Sequence, residues 1–167
     1  PRGMYSEVME SRERLVLAMS ELMWERGYAA TSPREVRDRS GVGQGSMYHH
    51  FPSKRDLAVA ALSAVVAGML ADTSLVDGDG SPLERIKRHL ATPPPGIQGC
   101  RVGRMTQDPQ VVDDAELLAV VAGAFDTMLV RWEAAIRQAV DAGELPAATV
   151  PTDLARTLAA VLQGGYV

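Results

Sequence analysis

The sequence contains a single cysteine, Cys100, in 167 residues. No intramolecular disulfide can form, so the chain must bury a core without covalent cross-links, as a chain of this length can. A lone cysteine is typical of proteins in a reducing cytosol. The N-terminus lacks the basic segment, apolar run and small-residue cleavage site of a secretory signal. We therefore expect a cytoplasmic protein.

Long hydrophobic runs are also scarce. The main apolar run, from Leu57 to Leu70, is shorter than the roughly 20 residues that a membrane-spanning helix needs, and it is amphipathic. The sequence therefore predicts a soluble protein that does not associate with membranes.

Cationic residues are not in excess, because the formal net charge is −4. The average conceals an asymmetry. Residues 1–56 contain nine Lys and Arg against eight Asp and Glu, whereas the remaining 111 residues contain eight against thirteen. Two of the three histidines also lie in the first segment. Any contact with a polyanion is expected in this N-terminal part.

Alternating strand patterns of useful length are absent, and so are internal repeats. The segments between clusters of Gly and Pro are rich in Ala, Leu, Met, Arg and Glu, with apolar residues at helical spacing. This pattern predicts an all-α fold. The predicted helices span about residues 7–26, 33–40, 44–50, 54–72, 81–90, 102–107, 111–142 and 152–163.

Metal-binding patterns are weak. Asp77-Gly-Asp-Gly-Ser resembles the start of a calcium loop, but Pro82 and Arg88 occupy the positions that need glycine and glutamate. His49 and His50 are adjacent, so on a helix they point about 100° apart and cannot easily hold one ion together. We predict neither a metal site nor a cofactor.

Catalytic patterns are no stronger. Three glycines, Gly41, Gly43 and Gly45, lack the preceding strand and the spacing of a phosphate-binding loop. No serine lies in a nucleophile elbow, and no Cys–His pairing is suggested. The sequence therefore does not predict an enzyme.

Residues 31–55 have the spacing of a helix-turn-helix, in which a second helix enters the major groove of DNA. Ser32-Pro33-Arg34-Glu35 is a capping box with proline at the first helical position. Gly41 provides the turn, and a second short helix follows. The exposed side of that helix carries small or hydrogen-bonding residues that suit contacts with bases and phosphates. They are Gln44, Gly45, Ser46, Tyr48 and His49.

The segment from Arg12 to about Leu62 resembles the TetR family of bacterial transcriptional repressors, especially in the run from Gly41 to Phe51 and in Ser53-Lys54-Arg55-Asp56-Leu57. The resemblance implies a homodimer. Each subunit would have a three-helix DNA-binding domain at residues 1–52 and a helical ligand-binding and dimerisation domain at residues 53–167. It also implies that a further dimerising helix follows Val167.

The resemblance also implies roles for individual residues in DNA binding. Arg34 would reach a base in the major groove, and Lys54 would anchor a phosphate at the start of the fourth helix. Gln44 and Ser46 would contact bases or phosphates. Tyr48 and His49 would contact phosphates or thymine methyl groups, and Gly45 would permit close approach of the DNA.

Three neighbouring residues have other interpretations. His50 and Phe51 are interpreted as packing residues. Arg37 stands where the family usually has a small residue, and it either makes an additional phosphate contact or points to water. Both alternatives remain open for Arg37.

A ligand site is expected in the C-terminal body. Gly99-Cys100-Arg101-Val102-Gly103 resembles a Gly-Cys-x-x-Gly signature in one branch of the family, some members of which respond to aromatic or drug-like compounds. Pockets between bundle helices are common. Core packing also explains the helically spaced apolar residues of the predicted helix at 111–142. We expect an apolar cavity lined by some of Met105, Leu118, Val121, Phe125, Met128, Trp132, Leu158 and Leu162.

The sequence thus predicts a dimeric repressor that binds a near-palindromic operator and is released by a small hydrophobic or aromatic inducer. The helix from Lys54 to about Asp72 is the expected lever between the two regions. Two alternatives remain: a DNA-binding regulator without a small-molecule inducer, and a helical small-molecule binding protein or enzyme.

Overall fold

The computed structural model describes residues 9–92 and 99–165. Within these residues the fold is all-α and contains no strand, which confirms the predicted fold class. Residues 1–8, including the predicted start of the first helix, lie outside this part. The helices are α1 (Ser11–Arg26), α2 (Pro33–Ser40), α3 (Gln44–His50), α4 (Lys54–Ala71), α5 (Ser74–Asp77), α6 (Pro82–Ala91), α7 (Arg101–Met105), α8 (Pro109–Val112), α9 (Ala115–Asp141) and α10 (Pro151–Gly164).

Local signals determine the bounds of α2 and α3. The Ser32 hydroxyl accepts a hydrogen bond from the Glu35 amide, and the Glu35 carboxylate accepts one from the Ser32 amide, so the predicted capping box is present. Gly41 ends α2 in the left-handed region at φ 68°, which glycine adopts without strain. Three residues later, at Gln44, α3 begins, as predicted.

The predicted helix from residue 111 to 142 is wrong at its start. The Asp108 side chain accepts from the Gln110 amide and caps the separate turn α8. Asp114 then accepts from the amides of Glu116 and Leu117, which starts α9 afresh at Ala115. The short helix α5 was also not predicted.

The chain divides into two compact units. Unit 1 comprises Pro1–Ala67 and Arg101–Val121, and unit 2 comprises Gly68–Cys100 and Ala122–Val167. Trp132 and Ile136, both fully buried, are central to the core of unit 2. In unit 1 the fully buried large side chains include Leu15, Met19, Leu22, Met47, Leu57, Met105 and Leu117.

One span, Lys54–Asp77, is long and apolar enough to cross a membrane by length and composition. The expectation that no such stretch exists is therefore wrong on those criteria. The difference arises because the span includes the alanine-rich α4, residues 72 and 73, and α5, and is therefore longer than the run from Leu57 to Leu70. Leu57 and Leu62 of the same span are buried in unit 1 as core residues.

Candidate nucleic-acid interface

The helix-turn-helix is held by apolar side chains that face inward. Val36 from α2, Val42 from the turn and Met47 from α3 are at most 4% exposed. Both α2 and α3 pack against α1. Burial of these three side chains fixes which side of α3 faces solvent.

The outward side of α3 carries the residues that the sequence assigned to DNA. Gln44, Gly45, Tyr48 and His49 are exposed, with Tyr48 at 45%, whereas Ser46 is half-buried. A phenol, an imidazole and an amide on one short helix can donate to and accept from bases and phosphates.

Two arginines of α2 lie beside this surface. The Arg34 side chain is 83% exposed, and its Nε is 3.8 Å from Asp38, so this exposed ion pair constrains it little. Arg37 donates to the Gln44 side chain at 3.3 Å. This hydrogen bond orients Gln44 and connects α2 with the first residue of α3.

Two further cations of the DNA-binding region are paired with acids. Arg39 makes two hydrogen bonds to Glu25, at 2.5 and 2.8 Å, and these lower the pKa of the Glu25 carboxyl. Arg26 pairs with Glu35. The pKa of the Glu35 carboxyl is lowered, and the hydrogen bond from the Ser32 amide is the largest cause. These ion pairs connect α1 with α2. Arg26 and Arg39 therefore stabilise the fold, and acids of the protein balance their charges.

Lys54 has partners that the sequence did not reveal. Its ammonium donates to the Tyr28 carbonyl oxygen at 2.8 Å and lies 4.1 Å from the centre of the Tyr28 ring. Burial lowers the pKa of the Lys54 ammonium and raises the pKa of the Tyr28 phenol. Lys54 therefore fastens the start of α4 to the turn between α1 and α2.

The neighbouring residue, Arg55, binds the start of α9. It contacts Asp114 at 2.5 and 3.0 Å and Glu116 at 2.7 Å. Hydrogen bonding from Arg55 lowers the pKa of the Asp114 carboxyl to about 2. Arg55 is thus a structural cation of unit 1, joining two segments far apart in sequence.

Asp108 provides a second connection within unit 1. This side chain is only 8% exposed, and it accepts from the Ala29 amide at 2.9 Å. It also raises the pKa of the nearby Tyr28, although burial is the larger cause. The segment Arg101–Val121 is therefore bonded to the α1–α2 turn as well as to α4.

Arg12 is a candidate that sequence reasoning missed. It is exposed, and its guanidinium lies 5.2 Å from the centre of the Phe51 ring, next to the end of α3. Phe51 itself is 4% exposed and His50 half-buried, which agrees with their interpretation as packing residues. No local pattern identified Arg12, because its proximity to Phe51 depends on the packing of α1 against α3.

The eight expected ligand-site residues are divided between the units. Met105, Leu118 and Val121 belong to unit 1, and the other five belong to unit 2. Leu118 is 40% exposed, whereas Trp132 is fully buried. Three of them, Met128, Leu158 and Leu162, are partly buried against the Trp132 cluster. Their role as a ligand site stays a prediction.

Met105 also lines a small hollow in unit 1 with a volume of about 10 Å³, room for roughly one water molecule. The Arg101 guanidinium lies 4.2 Å from the centre of the Trp24 ring at this hollow. Its remaining lining residues are Ser20, Met23, Leu62 and Val65.

Known proteins resemble this chain in sequence. Residues 15–61 match the family described as bacterial regulatory proteins, tetR family. Over 163 residues the chain is 29% identical to the transcriptional regulator AcuR of Cereibacter sphaeroides, covering 93% of this chain and 74% of AcuR. It is 33% identical over 82 residues to the transcriptional repressor KstR2 of Mycobacterium tuberculosis, covering 48% of this chain and 41% of KstR2.

Solved structures show the same fold. The reduced form of NemR from E. coli matches with a TM-score of 0.83 at 22% identity, covering 95% of this chain and 86% of NemR. A regulatory protein TetR from Rhodobacter sphaeroides matches with a TM-score of 0.79 at 25% identity, covering 93% and 86%. The matched segment contains the whole of α2 and α3, and the curated relatives are transcriptional regulators rather than enzymes. Residues 15–61 of this chain therefore carry the segment typical of the tetR family of bacterial regulatory proteins, and the described residues have the fold of a solved TetR regulatory protein.

Proposed function

We propose that this protein is a dimeric, sequence-specific repressor that a small, largely apolar ligand releases from its operator. The observation that carries the proposal is the outward side of α3. Its exposed residues are uncharged or aromatic hydrogen-bonding groups, while Arg26 and Arg39 are neutralised by acids. Base recognition needs such groups at the contact surface, whereas a purely electrostatic binder would display its cations.

Base recognition is assigned to Arg34, Gln44 and Ser46. The exposed Arg34 side chain can reach into the major groove and make a bidentate contact with guanine. Gln44 is oriented by its hydrogen bond from Arg37, as expected of a residue that must select one base edge. Gly45 leaves the backbone of α3 open to close approach, because an added Cβ would meet no atom within 4 Å.

Phosphate contacts are assigned to Tyr48, His49 and Lys54. An ammonium has three donors, and Lys54 uses one of them for the Tyr28 carbonyl oxygen. The other two can bind a phosphate, and the N-terminus of α4 adds favourable partial charge there. Lys54 would then hold DNA and the α1–α2 turn at the same time.

The dimer is proposed to form through the C-terminal body. Val130 on α9 and Val161 on α10 are 65% and 66% exposed, far more than apolar side chains of a folded core. A second copy would cover these side chains and place two α3 helices about 34 to 36 Å apart, to match successive major grooves. A DNA-binding domain at residues 1–52 and a body at residues 53–167 remain the proposed division of labour.

Release by ligand requires a difference in ligand affinity between two states of the dimer. The expected ligand site is lined by some of the residues named from the sequence, and we assign to it those of unit 2, namely Phe125, Met128, Trp132, Leu158 and Leu162. We assign the transmission to α4 and to Asp108 and Asp114, because these carboxylates bond to the α1–α2 turn and to Arg55. A shift of α4, or of the segment that carries Asp108 and Asp114, would displace the start of α4, where Lys54 would bind phosphate. This regulation would act on DNA in the cytoplasm.

A mobility-shift assay on the intergenic DNA beside the protein's own gene tests the proposal. A footprinted, near-palindromic site that the protein protects against competitor DNA is expected, with a compound that releases it. Ligand binding or turnover without any DNA preference would instead support the alternative of a helical binding protein or enzyme. A site released by a partner protein, and by no compound, would support a regulator without an inducer.

A further inference from the structure

The indole nitrogen of Trp132 has no hydrogen-bond partner. Its residue is 0% exposed, and among the described residues Nε1 is one of only two buried side-chain nitrogen or oxygen atoms without an acceptor or donor. An indole N–H can only donate. A buried donor without a partner is costly, which is why natural proteins seldom keep one without a reason.

The surroundings of Trp132 are apolar. The ring belongs to a cluster in unit 2 that includes Leu75, Ile86 and Ile136. The His89 ring is nearly perpendicular to it, at a centroid distance of 5.2 Å, but accepts no hydrogen bond from Nε1. A donor in such a setting gives orientation to a molecule that otherwise binds through apolar contacts.

The apolar character of the cluster indicates which acceptor fits. A carboxylate on the ligand would be buried among the apolar side chains of the cluster, which is costly. A cation would meet the positive end of the indole N–H. A neutral oxygen acceptor avoids both penalties.

We propose that Trp132 Nε1 is the polar contact of the ligand site, and that the ligand is a small apolar or aromatic molecule with a neutral carbonyl oxygen. This inference rests on the proposed function, since it specifies the ligand class of the same regulator. Met128, Leu158 and Leu162 are only partly buried against the cluster, so they are the side chains that move to admit the ligand. Methionine adapts readily to such repacking.

Three probes of similar shape test the inference on the full-length protein. Acetophenone has a neutral carbonyl, α-methylstyrene replaces its oxygen with a methylene group, and benzoate carries a negative charge. Proton–nitrogen correlation spectra of isotope-labelled protein report the indole N–H groups of Trp24 and Trp132, and the variant W24F identifies which resonance is which. Acetophenone is expected to shift the Trp132 resonance strongly downfield, whereas the other two probes leave it near its original position.

The variant W132F supplies a second measurement. It removes the donor together with one ring of the indole, and the lost ring volume affects both probes, so acetophenone binding should weaken by about three- to tenfold more than α-methylstyrene binding. If W132F does not fold, the spectra of the wild-type protein still decide. An indole resonance that no probe moves, equal losses for both probes, or an ordered water that stays on Nε1 would each overturn the inference. If the protein binds no operator, the proposed function is refuted, independently of how the Trp132 resonance responds to the probes.

Discussion

The Lys54 ammonium lies 2.8 Å from the Tyr28 carbonyl oxygen and 4.1 Å from the centre of the Tyr28 ring. One side chain thus fastens the first residue of α4 to the α1–α2 turn while it stands at the edge of the proposed DNA surface. Two roles for the same cation, structural and phosphate-binding, follow from this position, and they can be separated by substitution.

We expect K54M to keep most of the stability and lose DNA affinity. The methionine retains an apolar stem over the Tyr28 ring but cannot bind phosphate. Affinity should fall equally for operator and random DNA, with the salt slope reduced by about one. K54A should lose the same affinity and additionally melt at a lower temperature. Unchanged DNA binding together with lower thermal stability would make Lys54 purely structural.

Arg34→Ala should reduce specificity. Loss of a bidentate base contact costs about 1 to 3 kcal/mol, mainly at one base position. Arg39→Ala is the matched control on the same helix, because Arg39 is paired with Glu25 and should change thermal stability more than sequence preference. Binding measured against operators substituted at each position compares the two. Equal losses on specific and random DNA for R34A would refute the base contact.

Gly45→Ala should stabilise the fold and weaken operator binding. An added Cβ meets no atom within 4 Å, and alanine favours a helix by up to about 1 kcal/mol over glycine. The methyl group would, however, stand where the DNA approaches. Gly123→Ala on α9 is the control, since its Cβ also meets nothing within 4 Å. If G45A binds the operator as well as wild type, close approach does not require glycine.

The Asp114–Arg55 pair should make stability depend on pH in a defined window. The pKa of Asp114 falls from 3.8 to about 2 in the folded protein. A lowered carboxyl pKa stabilises the fold above the unfolded value, and this contribution disappears as the pH falls through the folded value. The melting temperature of D114N should therefore lie below that of wild type at neutral pH, and the gap should close between pH 3.8 and about 2.

Asp113→Asn is the control for that experiment, because Asp113 is the exposed neighbour and makes no contact with Arg55. A melting-temperature gap for D114N that persists unchanged to pH 2 would show that the carboxylate charge is not the source of the effect.

Val161→Asp should dissociate the dimer. Val161 is 66% exposed on α10, and a carboxylate there would have to be buried opposite its own copy in a two-fold interface. Light scattering should show a larger monomer fraction and a concentration-dependent loss of operator binding. Val112→Asp, at a valine that is 43% exposed in unit 1, should leave the dimer intact. A fully dimeric V161D would exclude this face as the interface.

The helix-turn-helix was predictable from sequence because its signals are local. Ser32 and Glu35 cap α2 from three residues apart, and Gly41 adopts the left-handed turn that ends it. The start of α9 was not predictable in the same way. The carboxylate that caps it, Asp114, is positioned by Arg55, 59 residues away in sequence.

The candidate site, too, was predictable only where local patterns determine it. The exposed side of α3 follows from the helical period and from the inward position of Met47. By contrast, the pairing of Arg39 with Glu25, and of Lys54 with Tyr28, spans 14 and 26 residues. Such contacts depend on how helices pack, and no pattern within a single helix encodes them.

Selection of binding sites from a random DNA library with the purified protein tests the central claim most directly. A repressor whose two α3 helices enter successive major grooves should enrich a near-palindrome with half-sites about 10 base pairs apart, centre to centre. The R34A variant should relax the preference at one position in each half-site. A library that stays random after selection, or that yields a single asymmetric site bound by one copy, would contradict the account.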